Sequence, residues 1–334
     1  MTLWLLLLQF GLCGLVIGRA GFVLSRSADR IAQATGLTGG WVGLALLATV
    51  TSLPELASGI SAVTVVAAPN LAVGNALGAC VFNLLFLAVV DALQRRQPMY
   101  AAASTAHLLS AGFGVVMLGF VAMSLLMAGG APTAFNLGFY TPALLALYLL
   151  ALRSVFAHER ALQPADAGAT LPLADPSLRA EWRRFGLAAV AVLAAGSWLP
   201  GLASQLAATM GWSRSFVGTV FMALVTTLPE MAVTLSALRL GALDMAIGNL
   251  LGSNLFNVTI LAIDDLFYRH RPLLADAAPV HAGTAVAGVM MTGLVMIGLV
   301  MRPQGRVLRV TSWVSIGLVA AYGLNAALVF LAAG

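Results

Sequence analysis

Two stretches of this chain are nearly the same: residues 48–55 read ATVTSLPE, and residues 223–230 read ALVTTLPE. Each copy sets a proline and a glutamate inside a long apolar run. An ionised carboxylate is costly inside a membrane, so a glutamate there indicates a functional site. Proline has no N–H, so it frees the carbonyl four residues earlier and breaks the helix. Free carbonyls, hydroxyls and a carboxylate on one broken turn form an oxygen-rich cation site.

A single copy has an ordinary explanation, a proline kink beside one satisfied polar residue. The second copy argues against it, because Pro54 and Glu55 are repeated in the same order as Pro229 and Glu230. The sequence therefore predicts two helix-breaking prolines, each followed by a glutamate that faces a cation.

Composition sets the class of protein. The 334 residues are 60% hydrophobic and 9% charged, whereas soluble domains carry about 25% charged residues. The net charge of +5 comes from 17 basic residues, all arginine, which lie between apolar segments and indicate orientation rather than nucleic-acid binding. Cys13 and Cys80 suggest no disulfide framework, and the four histidines show no metal-ligand spacing. The chain is predicted to be an all-α polytopic membrane protein whose main partner is the lipid bilayer.

Ten apolar segments are long enough, at about 20 residues, to cross a bilayer. They are residues 3–24, 40–66, 71–93, 101–127, 133–153, 185–205, 216–238, 244–268, 276–301 and 310–332. The polar residues 154–184 are too few for a soluble domain and are predicted to be a cytoplasmic linker. They separate two halves of five spans each, residues 1–153 and 185–334.

The arginines predict the orientation. With ten spans, the loops and adjoining span ends on one side carry fourteen arginines, and those on the other side carry three. Cytoplasmic loops are enriched in arginine. We therefore expect a multi-pass protein of the cell inner (plasma) membrane with both termini outside.

The repeat extends beyond the broken turns. Residues 74–78 read GNALG, and residues 248–252 read GNLLG at matching positions of the second half. The repeated cores cover about 28–93 and 203–268. Five spans per half is an odd number, so the second copy is inserted upside down. Inverted repeats with broken helices at the midplane are typical of secondary transporters.

The second repeated motif favours close helix packing, because its glycines are four residues apart. They are Gly74, Gly78, Gly248 and Gly252. Close packing would bring Asn83, Ser253 and Asn257 near the broken helices, where the two amides are either cation ligands or hydrogen-bonded packing groups. Four acids at span ends are expected to be interfacial and reached by solvent: Asp91, Asp244, Asp264 and Asp265.

The doubled T-[ST]-L-P-E turns, each followed by G-N-x-x-G-x-x-x-F-N, resemble the α-repeats of the cation/Ca²⁺ exchanger superfamily, which includes the sodium/calcium exchangers. The resemblance implies ten helices in two inverted halves, with cations bound at the centre in alternating access. It implies that Glu55 and Glu230 are bidentate Ca²⁺ carboxylates and that the carbonyls of Thr51 and Thr226 complete the site. It also implies flanking Na⁺ sites made by Ser52, Thr227, Asn83, Ser253, Asn257 and the carbonyls of Ala48 and Ala223.

The sequence departs from the superfamily pattern in three ways. Val50 and Val225 stand where the family usually has glycine. Residues 78–80 read GAC where the family has GSN, which removes one Na⁺-site hydroxyl. Neither amide of the F-N segments is the aspartate that some members carry. The central dication site is therefore complete, while the number of Na⁺ ions is left open.

The predicted function is secondary-active Na⁺/Ca²⁺ exchange, in which Na⁺ or protons neutralise the same two carboxylates that bind Ca²⁺. An H⁺/Ca²⁺ antiporter and a degenerate, non-transporting member are the alternatives. A channel needs a continuous polar path, whereas the polar groups here converge at one depth. An intramembrane enzyme needs a nucleophile–base pair, paired aspartates or His-Glu-x-x-His, and we find none. We expect no cofactor and no obligate protein partner.

Overall fold

The fold is taken from a computed structural model that describes residues 2–34, 48–95, 97–127, 133–134, 137–162, 178–307 and 310–332. In chain order, its helices and strands are α1 Leu3–Ala34, α2 Leu53–Thr64, α3 Pro69–Leu93, α4 Met99–Ala102, α5 His107–Met127, β1 Thr133–Ala134, β2 Leu137–Gly138, α6 Tyr140–Leu162, α7 Leu178–Met210, α8 Arg214–Phe216, the π-helix Val217–Met222, α9 Ala223–Thr226, α10 Leu228–Arg239, α11 Leu243–Phe267, α12 Leu273–Asp276, α13 Val280–Met301 and α14 Trp313–Leu331. The two short strands pair antiparallel.

Eight of the described helices are long and apolar enough to cross a membrane. A ninth span is formed by Arg214–Thr226 and Leu228–Arg239, which meet at a bend of 44°. The prediction of an all-α, multi-span membrane protein is confirmed. The remaining predicted span, 40–66, lies partly outside the described residues, although residues 48–51 and α2 are helical.

Three helices are longer than their apolar segments, and the first of them, predicted over 3–24, extends over Leu3–Ala34. The predicted span 133–153 begins at Tyr140 and continues to Leu162, and the predicted span 185–205 extends over Leu178–Met210. Both run into the predicted linker 154–184, of which residues 163–177 lie outside the described part. Hydropathy marks only the membrane-embedded part of a helix, and polar residues can continue the helix beyond it. The helix in the predicted span 101–127 is shorter than predicted, since α5 begins at His107.

The centre of the molecule is the buried pair α3 and α11. Helix α3 crosses the π-helix on its glycines. A Cβ added to Gly78 would lie 2.7 Å from the Cα of Thr219, and one added to Gly74 would lie 3.1 Å from the Thr219 nitrogen. On α11, a Cβ at Gly252 would lie 3.3 Å from the Ala48 Cβ. Small residues thus let α3 and α11 approach the two broken helices closely.

Buried acids hold the loops at the ends of α3 and α11. The Asp91 Oδ1 accepts a hydrogen bond from the Met99 N–H (3.3 Å), and the Asp265 Oδ1 accepts one from the Leu273 N–H (2.6 Å). The two acceptors occupy matching positions of the two halves, and so do the two donors. The second oxygen of each carboxylate accepts a hydrogen bond from a hydroxyl. The Ser315 hydroxyl donates to Asp91 and the Thr141 hydroxyl donates to Asp265, and these two donors also occupy matching positions of the two halves.

Further contacts recur at matching positions of the two halves. The Ser104 N–H donates to Asp244 Oδ1 (2.8 Å), and the Ala278 N–H donates to Asn70 Oδ1 (2.6 Å). Between α3 and α11, two matching residues bind each other. The Asn254 Nδ2 donates to the Cys80 carbonyl (3.2 Å), and the Cys80 Sγ donates to the Asn254 carbonyl (3.7 Å). The two halves therefore exchange equivalent contacts.

The expectation that four span-end acids are reached by solvent is wrong for three of them. Asp91, Asp264 and Asp265 are buried, and only Asp244 is well exposed, with a side chain 57% accessible. Loops fold over the ends of α3 and α11, and their N–H and hydroxyl donors cover Asp91 and Asp265. The position of an acid along an apolar segment does not show such a loop.

We predict that Asp265→Ala strongly destabilises the protein. Asp265 accepts from the Gly138 and Leu273 N–H groups and from the Tyr140 and Thr141 hydroxyls. An unsatisfied buried donor costs about 1–3 kcal/mol, so the loss should exceed that of a single hydrogen bond. Thermal unfolding of the purified protein measures it. The control is Asp244→Ala at the exposed acid, and equal unfolding midpoints for the two variants would contradict the prediction.

Candidate cation site

The site begins at two interrupted helices. Helical geometry stops at Ser52 and at Thr227, and a new helix starts one residue later with a proline in its first turn. The Leu56 N–H bonds to the Ser52 carbonyl, and the Met231 N–H bonds to the Thr227 carbonyl, both at 3.1 Å. Each glutamate therefore lies in the first turn of a new helix, where free N–H groups and the helix dipole favour negative charge.

The two interrupted turns meet each other. Glu55 and Glu230 are both fully buried. The Ser52 hydroxyl, on the first turn, donates to Oε1 of Glu230 on the second (2.8 Å). The two carboxyl groups are also close enough to interact electrostatically. Two acids from different halves of the chain thus share one buried region.

Threonine hydroxyls line the same turns. The Thr51 hydroxyl donates to the Ala48 carbonyl (3.0 Å) and lies 3.4 Å from the Ser253 hydroxyl. The Thr227 hydroxyl donates to the Ala223 carbonyl (2.9 Å). Thr51, Thr227 and Ser253 are fully buried, so their oxygens face the protein interior.

The remaining predicted ligands also lie in buried positions. Thr226 donates its hydroxyl proton to Asn75 Oδ1 (3.1 Å), and the Asn83 Nδ2 donates to Asn254 Oδ1 (3.1 Å). Asn257 is fully buried. Ala79, at the position of the first half that matches Ser253, is fully buried but offers only a methyl group.

Five buried oxygens of these side chains have no hydrogen-bond donor among the described residues. They are both oxygens of Glu55, Oε2 of Glu230, Oδ1 of Asn83 and Oδ1 of Asn257. A buried acceptor without a donor costs free energy, and its occurrence in a protein requires an explanation. Hard cations such as Ca²⁺ and Na⁺ bind carboxylate, amide, hydroxyl and carbonyl oxygens, so acceptors of this kind are suited to them. The described residues contain no group of three or more His, Cys, Asp or Glu that could hold a metal, which does not favour a zinc-type centre.

Three buried asparagines were not predicted from the sequence. Asn254 links Asn83 to the Cys80 carbonyl. Asn75 donates to the Ser58 hydroxyl (2.9 Å), and Asn249 donates to the Thr234 hydroxyl (3.2 Å). The signal was available, because Asn75 and Asn249 are the polar residues of the repeated GN motif, which was interpreted through its glycines alone. Each of these two ties a helix after a broken turn to α3 or α11.

Comparison with known proteins identifies the family. The family model described as sodium/calcium exchanger protein matches residues 5–157 and 182–331, which together include both glutamate turns. The chain belongs to this family. The superfamily predicted from the doubled motifs is therefore confirmed, and the family is one of membrane exchangers rather than enzymes.

Individual relatives and solved structures agree with this assignment. The chain is 30% identical over 263 residues to the putative antiporter CaxA of Alkalimonas amylolytica, covering 75% of this chain and 76% of CaxA. Among solved structures, native YfkE matches with a TM-score of 0.67 at 17% identity, covering 96% of this chain and 92% of YfkE. The sodium–calcium exchanger NCX_Mj, in crystals soaked with 10 mM Na⁺, matches with a TM-score of 0.62 at 23% identity, covering 97% and 98% of the two chains. At these identities the two structures establish a shared fold.

Proposed function

We propose that this exchanger is a Na⁺/Ca²⁺ antiporter that binds Ca²⁺ between Glu55 and Glu230. The observation that carries the proposal is the meeting of these two buried carboxyl groups, which together have three oxygens without a donor among the described residues. Two carboxylates balance the charge of one Ca²⁺. Ca²⁺ takes about six to eight oxygens, and the carbonyls of Thr51 and Thr226 would add to the carboxylate oxygens.

Na⁺ would bind beside the Ca²⁺ site. The proposed ligands are buried hydroxyls, amides and carbonyls around the broken turns: Ser52, Thr227, Asn83, Ser253, Asn257 and the carbonyls of Ala48 and Ala223. Na⁺ is proposed over the proton because the second half is rich in hydroxyls. Protons could neutralise the same two glutamates, so H⁺/Ca²⁺ exchange is the second candidate.

Transport by alternating access would follow from two inverted halves of five spans each, ten in all. The proposal is supported by the contacts that recur at matching positions of the two halves. Asp91 and Asp265 each close a loop eight residues further on and bind a hydroxyl of the opposite half. Cys80 and Asn254 bind each other's carbonyl, as expected for positions on a pseudo-two-fold axis.

The cost of burying two bare carboxylates would favour exchange over leak. A ligand shifts a conformational equilibrium only through its different affinities for the two states. Two unpaired carboxylates in a dry, occluded path are costly, so the occluded state would form readily only with cations bound. Each passage across the membrane would then carry a cation in one direction or the other.

The first test is ⁴⁵Ca²⁺ uptake into proteoliposomes with an imposed Na⁺ or H⁺ gradient. We expect uptake driven by the Na⁺ gradient and its loss in Glu55→Gln and Glu230→Gln, because one carboxylate cannot balance a dication. Asp244→Asn, at the exposed acid, is the matched control. Uptake driven only by the H⁺ gradient would support the second candidate. Normal uptake by either glutamine variant would refute the site, and absence of uptake under both gradients would indicate a non-transporting member.

A second prediction concerns position 79. Ala79 and Ser253 occupy equivalent positions, and only Ser253 offers a hydroxyl. An unmade polar contact costs about 1–3 kcal/mol. Ala79→Ser should therefore lower the Na⁺ concentration for half-maximal exchange by about tenfold, and Ser253→Ala should raise it, with little change in Ca²⁺ affinity. If neither substitution alters the Na⁺ dependence in the flux assay, the proton is the counter-ion.

A third prediction concerns orientation in the plasma membrane. The distribution of arginines predicts that both termini lie outside and that residues 154–184 lie in the cytoplasm. A reporter enzyme that works only outside the cytoplasm should be active when fused to either terminus. A reporter that works only in the cytoplasm should be inactive there. Protease added to intact cells should leave the 154–184 segment uncut, whereas everted vesicles should expose it. Cleavage in intact cells would reverse the proposed orientation.

A further inference from the structure

One buried acid is not used by the proposed Ca²⁺ site. Asp264 is fully buried near the end of α11, and neither of its carboxylate oxygens has a hydrogen-bond partner among the described residues. No described arginine or histidine forms an ion pair with it. An isolated ionisable group inside a membrane protein is a functional candidate by default.

Its place relative to the site is defined by helix α2. The Asp264 carboxyl lies directly against Gly59: a Cβ added to Gly59 would lie only 2.6 Å from Oδ1 and 2.8 Å from the carboxyl carbon. Gly59 is four residues after Glu55, which is one helical turn, or about 6 Å along the axis. The Asp264 carboxyl therefore occupies the next position along the α2 face that carries Glu55.

Helix α11 leads to the same conclusion. Asn257 lies seven residues before Asp264, which places both side chains on one face about 10 Å apart. Asp264 thus extends the polar residues of α2 and α11 away from the Glu55–Glu230 site. They lead toward the side of the membrane at which these two helices end.

Asp264 is not needed to hold the loop there. That role belongs to its neighbour Asp265, which accepts four hydrogen bonds from residues 138–141 and Leu273. In the equivalent loop at the other end of the molecule Asp91 takes the role of Asp265, and the position equivalent to Asp264 is Val90. The fold itself therefore accepts an apolar residue at this position.

The surroundings of Asp264 select its ligand. Ca²⁺ needs about six to eight oxygens, and the adjacent acid, Asp265, already uses both of its carboxylate oxygens for four hydrogen bonds. An unpaired, ionised carboxylate away from water is strongly disfavoured, and such a group is neutralised instead. The ligand that fits is therefore a proton.

Among the described residues, no basic group forms an ion pair with Asp264 that would offer an alternative partner. The titratable residues of α2, α6, α11 and α12 toward this end of α11 are acids and tyrosines: Glu55, Tyr140, Tyr148, Asp265, Tyr268 and Asp276. The basic residues that follow α11 are exposed to solvent, and Arg271 pairs with Asp276. The charge of Asp264 is therefore neutralised by a mobile ion.

We propose that Asp264 is a proton-binding site on the pathway between the Glu55–Glu230 site and the membrane face where α2 and α11 end. The proton is held on the Asp264 carboxyl while the pathway is closed. It leaves to water at that face when the pathway opens, and the resulting carboxylate attracts the entering cation. The pathway part of this proposal rests on the proposed exchange function, whereas proton binding does not.

The first experiment detects the proton directly. Infrared spectra of the purified, lipid-reconstituted protein are recorded across a pH series to follow the carbonyl band of protonated carboxyl groups. We expect Asp264→Asn to lose one such band near neutral pH, and Asp244→Asn to lose none. If Asp264→Asn does not fold, Asp264→Val, which introduces the residue type of position 90, gives the same readout. An unchanged band in a folded Asp264 variant would overturn the proposal.

The second experiment tests the pathway. Ca²⁺ uptake into proteoliposomes is measured over the same pH range for the wild type and Asp264→Asn. We expect wild-type uptake to slow as pH falls and the variant to lose one step of this dependence. Loss of the infrared band with an unchanged pH profile of uptake would refute the role on the pathway. If no variant or wild-type protein transports Ca²⁺, the exchange function fails while the infrared result still decides proton binding.

Discussion

Two carboxyl groups are buried together at the centre of the structure, and neither forms an ion pair with any described residue. The free-energy cost of this burial is the constraint on which the rest of the structure depends. Glu55 and Glu230 lie in the first turns of two helices, and three of their oxygens have no donor in the described part of the chain. The Ser52 hydroxyl donates to the remaining one. Such an arrangement is unstable without a mobile positive charge. On the proposed exchange mechanism, the fold keeps this region dry and lets cations reach it from one side at a time.

Holding the two turns together requires the close approach of backbones. Gly78 and Gly74 let α3 lie against the π-helix that precedes the second turn, and Gly252 lets α11 lie against Ala48, before the first turn. The proline breaks then direct the glutamates inward. Polar asparagines complete the connection, since Asn75 and Asn249 tie α3 and α11 to the helices that follow the two turns. Packing and polar contacts thus place the site from both sides.

The sequence alone allowed the class of fold, most spans, the broken turns and the family to be predicted, because each rests on a local and repeated pattern. Apolar length predicts spans, and the proline two residues after Ser52 or Thr227 predicts the break. The burial of Asp91, Asp264 and Asp265 could not be predicted, since it depends on loops that return from elsewhere in the chain to cover helix ends. The helical extensions of α6 and α7 were not predicted for a related reason. Hydropathy detects only the apolar part of a helix, whereas these helices continue beyond it with polar residues.

The differences between the two halves carry more information about function than their likeness. The loop-closing contacts of Asp91 and Asp265 are preserved at matching positions, so both halves keep the same scaffold. Differences appear instead at other positions of α3 and α11: Ala79 against Ser253, Cys80 against Asn254, and Val90 against Asp264. In each pair the second half carries the more polar residue. On the proposed alternating-access mechanism, the shared scaffold would give the two openings similar geometry, whereas these side chains would make the approach along α11 the more polar one. That mechanism would place the selection of the counter-ion on the side of α11, with the central carboxylates responding to the cation that this side admits.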